Sequence, residues 1–129
     1  MEKIKKVMIV GLGALGTLYA DAFQKTEDTE LFVLVDEERK KRYEGEDKIL
    51  NGEKVTFNYV TPADEIGPMD LILVCTKSNG MRQAIGMIEG FVGDETIIAS
   101  LMNGVSFEEL ATEKYGAEHV STWYTWATA

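Results

Sequence analysis

The 129-residue sequence has little of what staples or bends a chain: one cysteine, Cys75, one histidine, His119, and two prolines. A lone cysteine makes no internal disulfide. One cysteine with one histidine cannot assemble a Cys–His cluster, so no metal is expected. Basic residues are also scarce, 13 Lys and Arg against 22 Asp and Glu, which leaves a net charge of −9. Nucleic acid and anionic membranes both select basic surfaces, so neither is an expected partner. No apolar run approaches the length of a membrane span, and the start, Met1-Glu-Lys-Ile-Lys-Lys, lacks the apolar core of a signal peptide. The expected location is therefore the cytoplasm. Length and composition fit one soluble domain, residues 1–129, with enough apolar residues for a core.

What is present is a series of short, unbroken apolar runs. Val7–Val10, Leu31–Val35, Asp70–Cys75 and Thr96–Ala99 read as strands covered on both faces, as in a parallel sheet. Between them lie helical patterns. Residues 13–25 carry Leu15, Leu18, Tyr19, Ala22 and Phe23 as one stripe, and Glu37–Arg42 is a short charged helix. Met81–Glu89 reads as a third helix. Phe107–Tyr115 is a fourth, with Ser106 as its cap and Glu109 three residues on. Residues 46–61 contain a hairpin turning at Asn51-Gly52, and His119–Tyr124 reads as a last strand. Alternating strands and helices predict a Rossmann-type doubly wound α/β fold, with a mainly parallel sheet and helices on both faces.

Gly11-Leu12-Gly13-Ala14-Leu15-Gly16 follows the first strand and opens the first helix. In such a turn the first glycine permits the tight corner. The second leaves room for a pyrophosphate, and the third lets the helix pack close to the sheet. The helix N-terminus then presents free N–H groups to the phosphates. Asp36 lies 20 residues beyond Gly16, at the end of the second strand, where an acid can accept from both ribose hydroxyls. That favours NAD over NADP, whose 2′-phosphate it would repel. Arg39, Lys40, Lys41 and Arg42 stand nearby as a counterweight, or as a solvated helix face.

Ligands of open α/β sheets bind at the carboxyl ends of the strands, where Thr76-Lys77 and Met102-Asn103-Gly104 also fall. Lys77 and Asn103 are thus candidates for the active-site edge, against the plainer readings of a surface lysine and an Asn-Gly turn. Cys75 reads as a buried strand residue rather than a nucleophile. His119 reads as structural or exposed. Trp123 and Trp126 read as packing, or as a surface stripped of its partner, in which case self-association into a homo-oligomer is plausible.

Val10-Gly-Leu-Gly-Ala-Leu-Gly16, Val74-Cys-Thr-Lys77 and Met102-Asn-Gly-Val105 together resemble the ketopantoate reductases (2-dehydropantoate 2-reductases) over essentially the whole chain. The resemblance implies reduction of ketopantoate to pantoate with NADPH, a step toward pantothenate. It implies cofactor contacts from residues 11–16, Lys77 and Asn103, a substrate contact from Asn103, and a place near the nicotinamide for Ala127. Members using NADPH often carry arginine where this chain has Asp36. Members also have a second, helical domain that supplies a catalytic lysine and a substrate-gripping glutamate. On this reading the chain is the cofactor half alone, an excised or truncated domain that is inactive by itself.

Two other readings share the glycine turn. One is the cofactor half of an opine-type, 6-phosphogluconate-type or other keto-acid dehydrogenase. The other is a non-catalytic regulatory NAD-binding module of the potassium-transport type, which matches the short length but gives Lys77 and Asn103 no task.

Overall fold

The computed structural model describes residues 4–11, 14–46, 48–50, 52–76, 80–100 and 105–122. Along the chain run β1 (Lys6–Val10), α1 (Ala14–Gln24), β2 (Glu30–Leu34), α2 (Glu37–Glu44), β3 (Lys48–Leu50) and β4 (Glu53–Val55). There follow β5 (Tyr59–Val60), β6 (Met69–Val74), α3 (Met81–Met87), β7 (Val92–Ser100), α4 (Val105–Tyr115) and β8 (Val120–Thr122). Six strands form one sheet in the order β5-β2-β1-β6-β7-β8, and every pairing is parallel. The chain winds outward from β1 to β5, crosses back to β6, and winds outward again to β8. The order therefore reverses between β1 and β6, and a crevice at that point is where such sheets take ligands.

The unbroken apolar runs have a direct cause. Successive side chains of a strand point to opposite faces, and here both faces are covered. Val7, Ile9, Val33 and Leu71 pack under α1 with Ala20, while Met8, Leu34, Ile72 and Ile98 pack under α3 and α4 with Ile85 and Phe107. Val7, Met8 and Ile9 are all fully buried. Each such side chain contributes about 1.5–3 kcal/mol relative to an exposed one.

Several expectations shift. In α1 the expected stripe is buried only in part: Tyr19 and Phe23 pack against the core, but Leu18 is 51% exposed and Ala22 is exposed, while the small Gly16 and Ala20 are buried. A helix drawn close to a sheet places its small residues at the contact, so size decides over hydrophobicity. The strand expected at Thr96–Ala99 starts earlier, at Val92, because its polar leading half pairs with β6 across a register shift between Met69 and Leu71. The third helix ends at Met87 and gives way to a 3-10 turn, Glu89–Phe91, that buries Phe91. The fourth begins at Val105, so Ser106 lies within its first turn rather than capping it. The hairpin forms as expected, Lys48 opposite Val55 and Leu50 opposite Glu53, with Gly52 in the left-handed region. The two-residue strand β5 was not legible, being too short to show any period. Of the expected last strand, Val120–Thr122 forms, His119 belongs to a preceding 3-10 turn, and residues 123 and 124 lie outside the described residues.

Among the described residues no helix is long and apolar enough to cross a membrane, and no group of three or more His, Cys, Asp or Glu side chains is placed to hold a metal.

Candidate functional site

The strand-to-helix corner expected at residues 11–16 is there: β1 ends at Val10 and α1 begins at Ala14. Gly11 has φ +92°, a conformation side chains disfavour. A Cβ on Gly11 would also lie 2.8 Å from the Thr76 methyl carbon. At Gly16 a Cβ would collide with the carbonyl oxygen of Gly11 and would lie 3.4 Å from Cys75 Cβ. Two of the three glycines thus have the steric tasks assigned from sequence. Gly13 and Leu12 lie outside the described residues, and Ala14 and Leu15 are placed by their backbone in the first turn of α1. That turn carries no acidic residue, so nothing on it opposes an anion at the free N–H groups. By contrast, α2 opens with Glu37 and Glu38.

The corner faces the end of β6, on the reversal side of the sheet. The backbone pairing of the two strands runs on past them, with the Cys75 N–H donating to the Val10 carbonyl at 2.8 Å. Cys75 is buried, and burial pushes its thiol up to about 12, which keeps it neutral and unreactive. Next to it, Thr76 sits between the two glycine-bearing segments. Its Cβ lies 3.6 Å from where a Gly80 side chain would begin, and its methyl meets Gly11. The Thr76 hydroxyl oxygen is sealed from solvent and has no hydrogen-bond partner among the described residues. Such an orphan is uncommon and calls for an explanation.

Asp36 stands at the carboxyl end of β2, one strand along. Sequence reasoning missed that it caps α2: Oδ1 accepts from the Arg39 N–H at 2.7 Å. Oδ2 lies 3.6 Å from the Arg39 guanidinium, and the Asp36 side chain stays 39% exposed. One oxygen is committed to the helix, and the other faces an exposed cation. The signal was an Asp at a strand end before a charged helical run. The basic cluster is partly engaged, Lys40 lying 3.9 Å from Asp64 and Arg42 over the Tyr43 ring.

The remaining predicted site residues, Lys77, Asn103 and Ala127, lie outside the described residues, as do Trp123 and Trp126. His119 is structural: Nδ1 lies 2.8 Å from the Thr96 carbonyl oxygen and donates to it. A groove of about 350 Å³ between α3 and α4, lined by Arg82, Gly86, Leu110 and Glu113 among others, includes none of the predicted site residues.

Comparison with known proteins places this geometry. The family model described as Ketopantoate reductase PanE/ApbA matches residues 7–129. A 2-dehydropantoate 2-reductase of Streptococcus pyogenes serotype M1 is 27% identical over 116 residues, covering 88% of this chain and 38% of that protein. The structure of 2-dehydropantoate 2-reductase from Geobacter metallireducens GS-15 is 30% identical with a TM-score of 0.72, over 91% of this chain and 40% of that one. D-mandelate dehydrogenase, solved with NADH and anilino(oxo)acetate, matches in fold at 19% identity and a TM-score of 0.76, over 91% of this chain and 39% of that one. The chain thus spans 38–40% of the length of these relatives. With the glycine corner, the reversed strand order and a family match running from β1 to the last residue, this chain belongs to the ketopantoate reductase family.

Proposed function

We propose that this chain is the cofactor-holding domain of a nicotinamide-dependent reductase acting on a small 2-keto acid, ketopantoate by family, and that it takes NADH in preference to NADPH. The observation that carries the reading is the corner at the reversal of strand order. There Gly11 turns and Gly16 presses against the Gly11 carbonyl, leaving a helix N-terminus with no acid in its first turn. Pyrophosphate would lie against the first turn of α1, with Leu12, Gly13, Ala14 and Leu15 supplying backbone. The adenosine ribose would lie toward Asp36. Lys77, Asn103 and Ala127 belong to the nicotinamide end on the family resemblance, Asn103 also toward substrate. When bound, the nicotinamide would supply a hydride for the keto carbon; the residues of this chain bind and orient it.

Because the chain spans 38–40% of its relatives' length, we place the substrate grip and the proton donor in the remainder and expect negligible turnover from these 129 residues alone. Titration with NADH and NADPH in parallel tests the reading. NADH should bind the more tightly, and Asp36→Arg should shift the NADH-to-NADPH affinity ratio by about tenfold toward NADPH. Asp36→Asn, which keeps a capping oxygen, separates the loss of charge from the loss of the cap. No binding of either dinucleotide at millimolar concentration would overturn the proposal, as would reduction of ketopantoate by the chain alone at a rate typical of an enzyme.

A further inference from the structure

Thr76 is the one residue at the crevice whose chemistry has no use within the protein as described. Its side chain lies between Gly11 and Gly80, its methyl carbon 2.8 Å from where a Gly11 Cβ would stand. Its hydroxyl is sealed from solvent with no partner among the described residues, although the residue as a whole is only half-buried. A hydroxyl stripped of water and left unbonded destabilises the fold relative to a methyl of the same shape. The opposite end of β6 shows how this sheet otherwise treats a buried threonine: the Thr96 hydroxyl donates to the Met69 carbonyl at 2.5 Å and accepts from the Gly93 N–H at 2.8 Å.

Building on the dinucleotide reading above, we propose that the Thr76 hydroxyl is a hydrogen-bond donor reserved for the bound dinucleotide, reaching a pyrophosphate or adjoining ribose oxygen at the Gly11 corner. The geometry offers a simple route. One staggered step of χ1 carries the threonine hydroxyl into the position its methyl held, while the methyl moves to the position of the β-hydrogen. That step places the oxygen where the methyl now stands, against the Gly11 turn. Valine, of nearly the same shape, keeps the packing in both states and cannot donate. Serine keeps the donor and loses the methyl.

Thr76→Val and Thr76→Ser, each measured for melting temperature without ligand and for NADH affinity by calorimetry, test the proposal. Thr76→Val should leave the ligand-free melting temperature unchanged or a few degrees higher, yet weaken NADH binding by about tenfold. Thr76→Ser should bind within about threefold of the wild type. A merely structural role moves stability and affinity the same way, so opposite signs are the signature. Should Thr76→Val fold poorly, the three-bond couplings of the Thr76 methyl carbon in the wild-type chain report χ1 with and without NADH, and a change of rotamer on binding is expected. Wild-type affinity in Thr76→Val, or an unchanged χ1, overturns this proposal and leaves the dinucleotide reading standing. Absence of NADH binding by the wild type removes both.

Discussion

The two ends of the parallel sheet are built differently. At the amino end, side chains knit separate strands together. The Asp70 carboxylate accepts from the Lys5 and Lys6 N–H groups, each at 2.9 Å, joining the starts of β6 and β1. Thr96 bonds Met69 and Gly93, and His119 bonds the Thr96 carbonyl. At the carboxyl end the side-chain hydrogen bonds of Asp36 and Asp64 are local. Asp36 caps its own helix, and Asp64 accepts from the Thr61 N–H three residues back. There, too, Thr76 is left with a hydroxyl unbonded. One end ties neighbouring strands together; at the other, the bonds of Asp36 and Asp64 stay within their own segments.

The sharpest break of that comparison is at Gly16. A methyl there meets the Gly11 carbonyl, backbone against backbone, with no flexible side chain to yield. Gly16→Ala should cost about 3 kcal/mol by chemical denaturation and should also abolish dinucleotide binding, because helix and corner move together. Next in size is Thr96→Val at the amino end. It strands a buried N–H and a carbonyl and should cost about 2 kcal/mol. Calorimetry should nevertheless find NADH affinity within about twofold of wild type, since the change lies at the far end of the strands. An affinity loss as large as that of Thr76→Val would dissolve the distinction between the two ends.

The smallest effect concerns Tyr115, whose hydroxyl donates to the Ile85 carbonyl at 2.6 Å and ties α4 to α3. Tyr115→Phe should cost about 1 kcal/mol near neutral pH. Burial first, and Glu89 second, push the phenol from 10.0 up to about 12. The folded state therefore prefers the neutral phenol. Its contribution is complete below pH 10 and is lost between pH 10 and about 12, as the unfolded chain ionises first. Denaturation curves across that window should fall less steeply for Tyr115→Phe than for the wild type.

Much of the fold was legible because its signals are local. Unbroken runs such as Val7–Val10 announce strands buried on both faces, and the glycine corner follows from spacing and steric need alone. The stripe of α1 misled in part: Tyr19 and Phe23 do pack on the core, but Leu18 is apolar yet 51% exposed, while the small Gly16 and Ala20 are buried. Periodicity records hydrophobicity and cannot register how close a helix comes. At the candidate site the steric needs of Gly11 and Gly16 were legible from spacing, but the capping bond of Asp36 to Arg39 was missed, and Thr76 drew notice only as a neighbour of Lys77.

By itself the sequence determined the alternation of strands and helices, the corner at residues 11–16 and the acidic charge. Those properties depend on residue type and near neighbours. Only the tertiary structure decided the strand order, the reversal between β1 and β6, the small-residue face of α1 and the isolation of the Thr76 hydroxyl. Each of these is set by segments far apart in the chain meeting in space, where packing distance and hydrogen-bond supply, rather than local preference, fix the outcome.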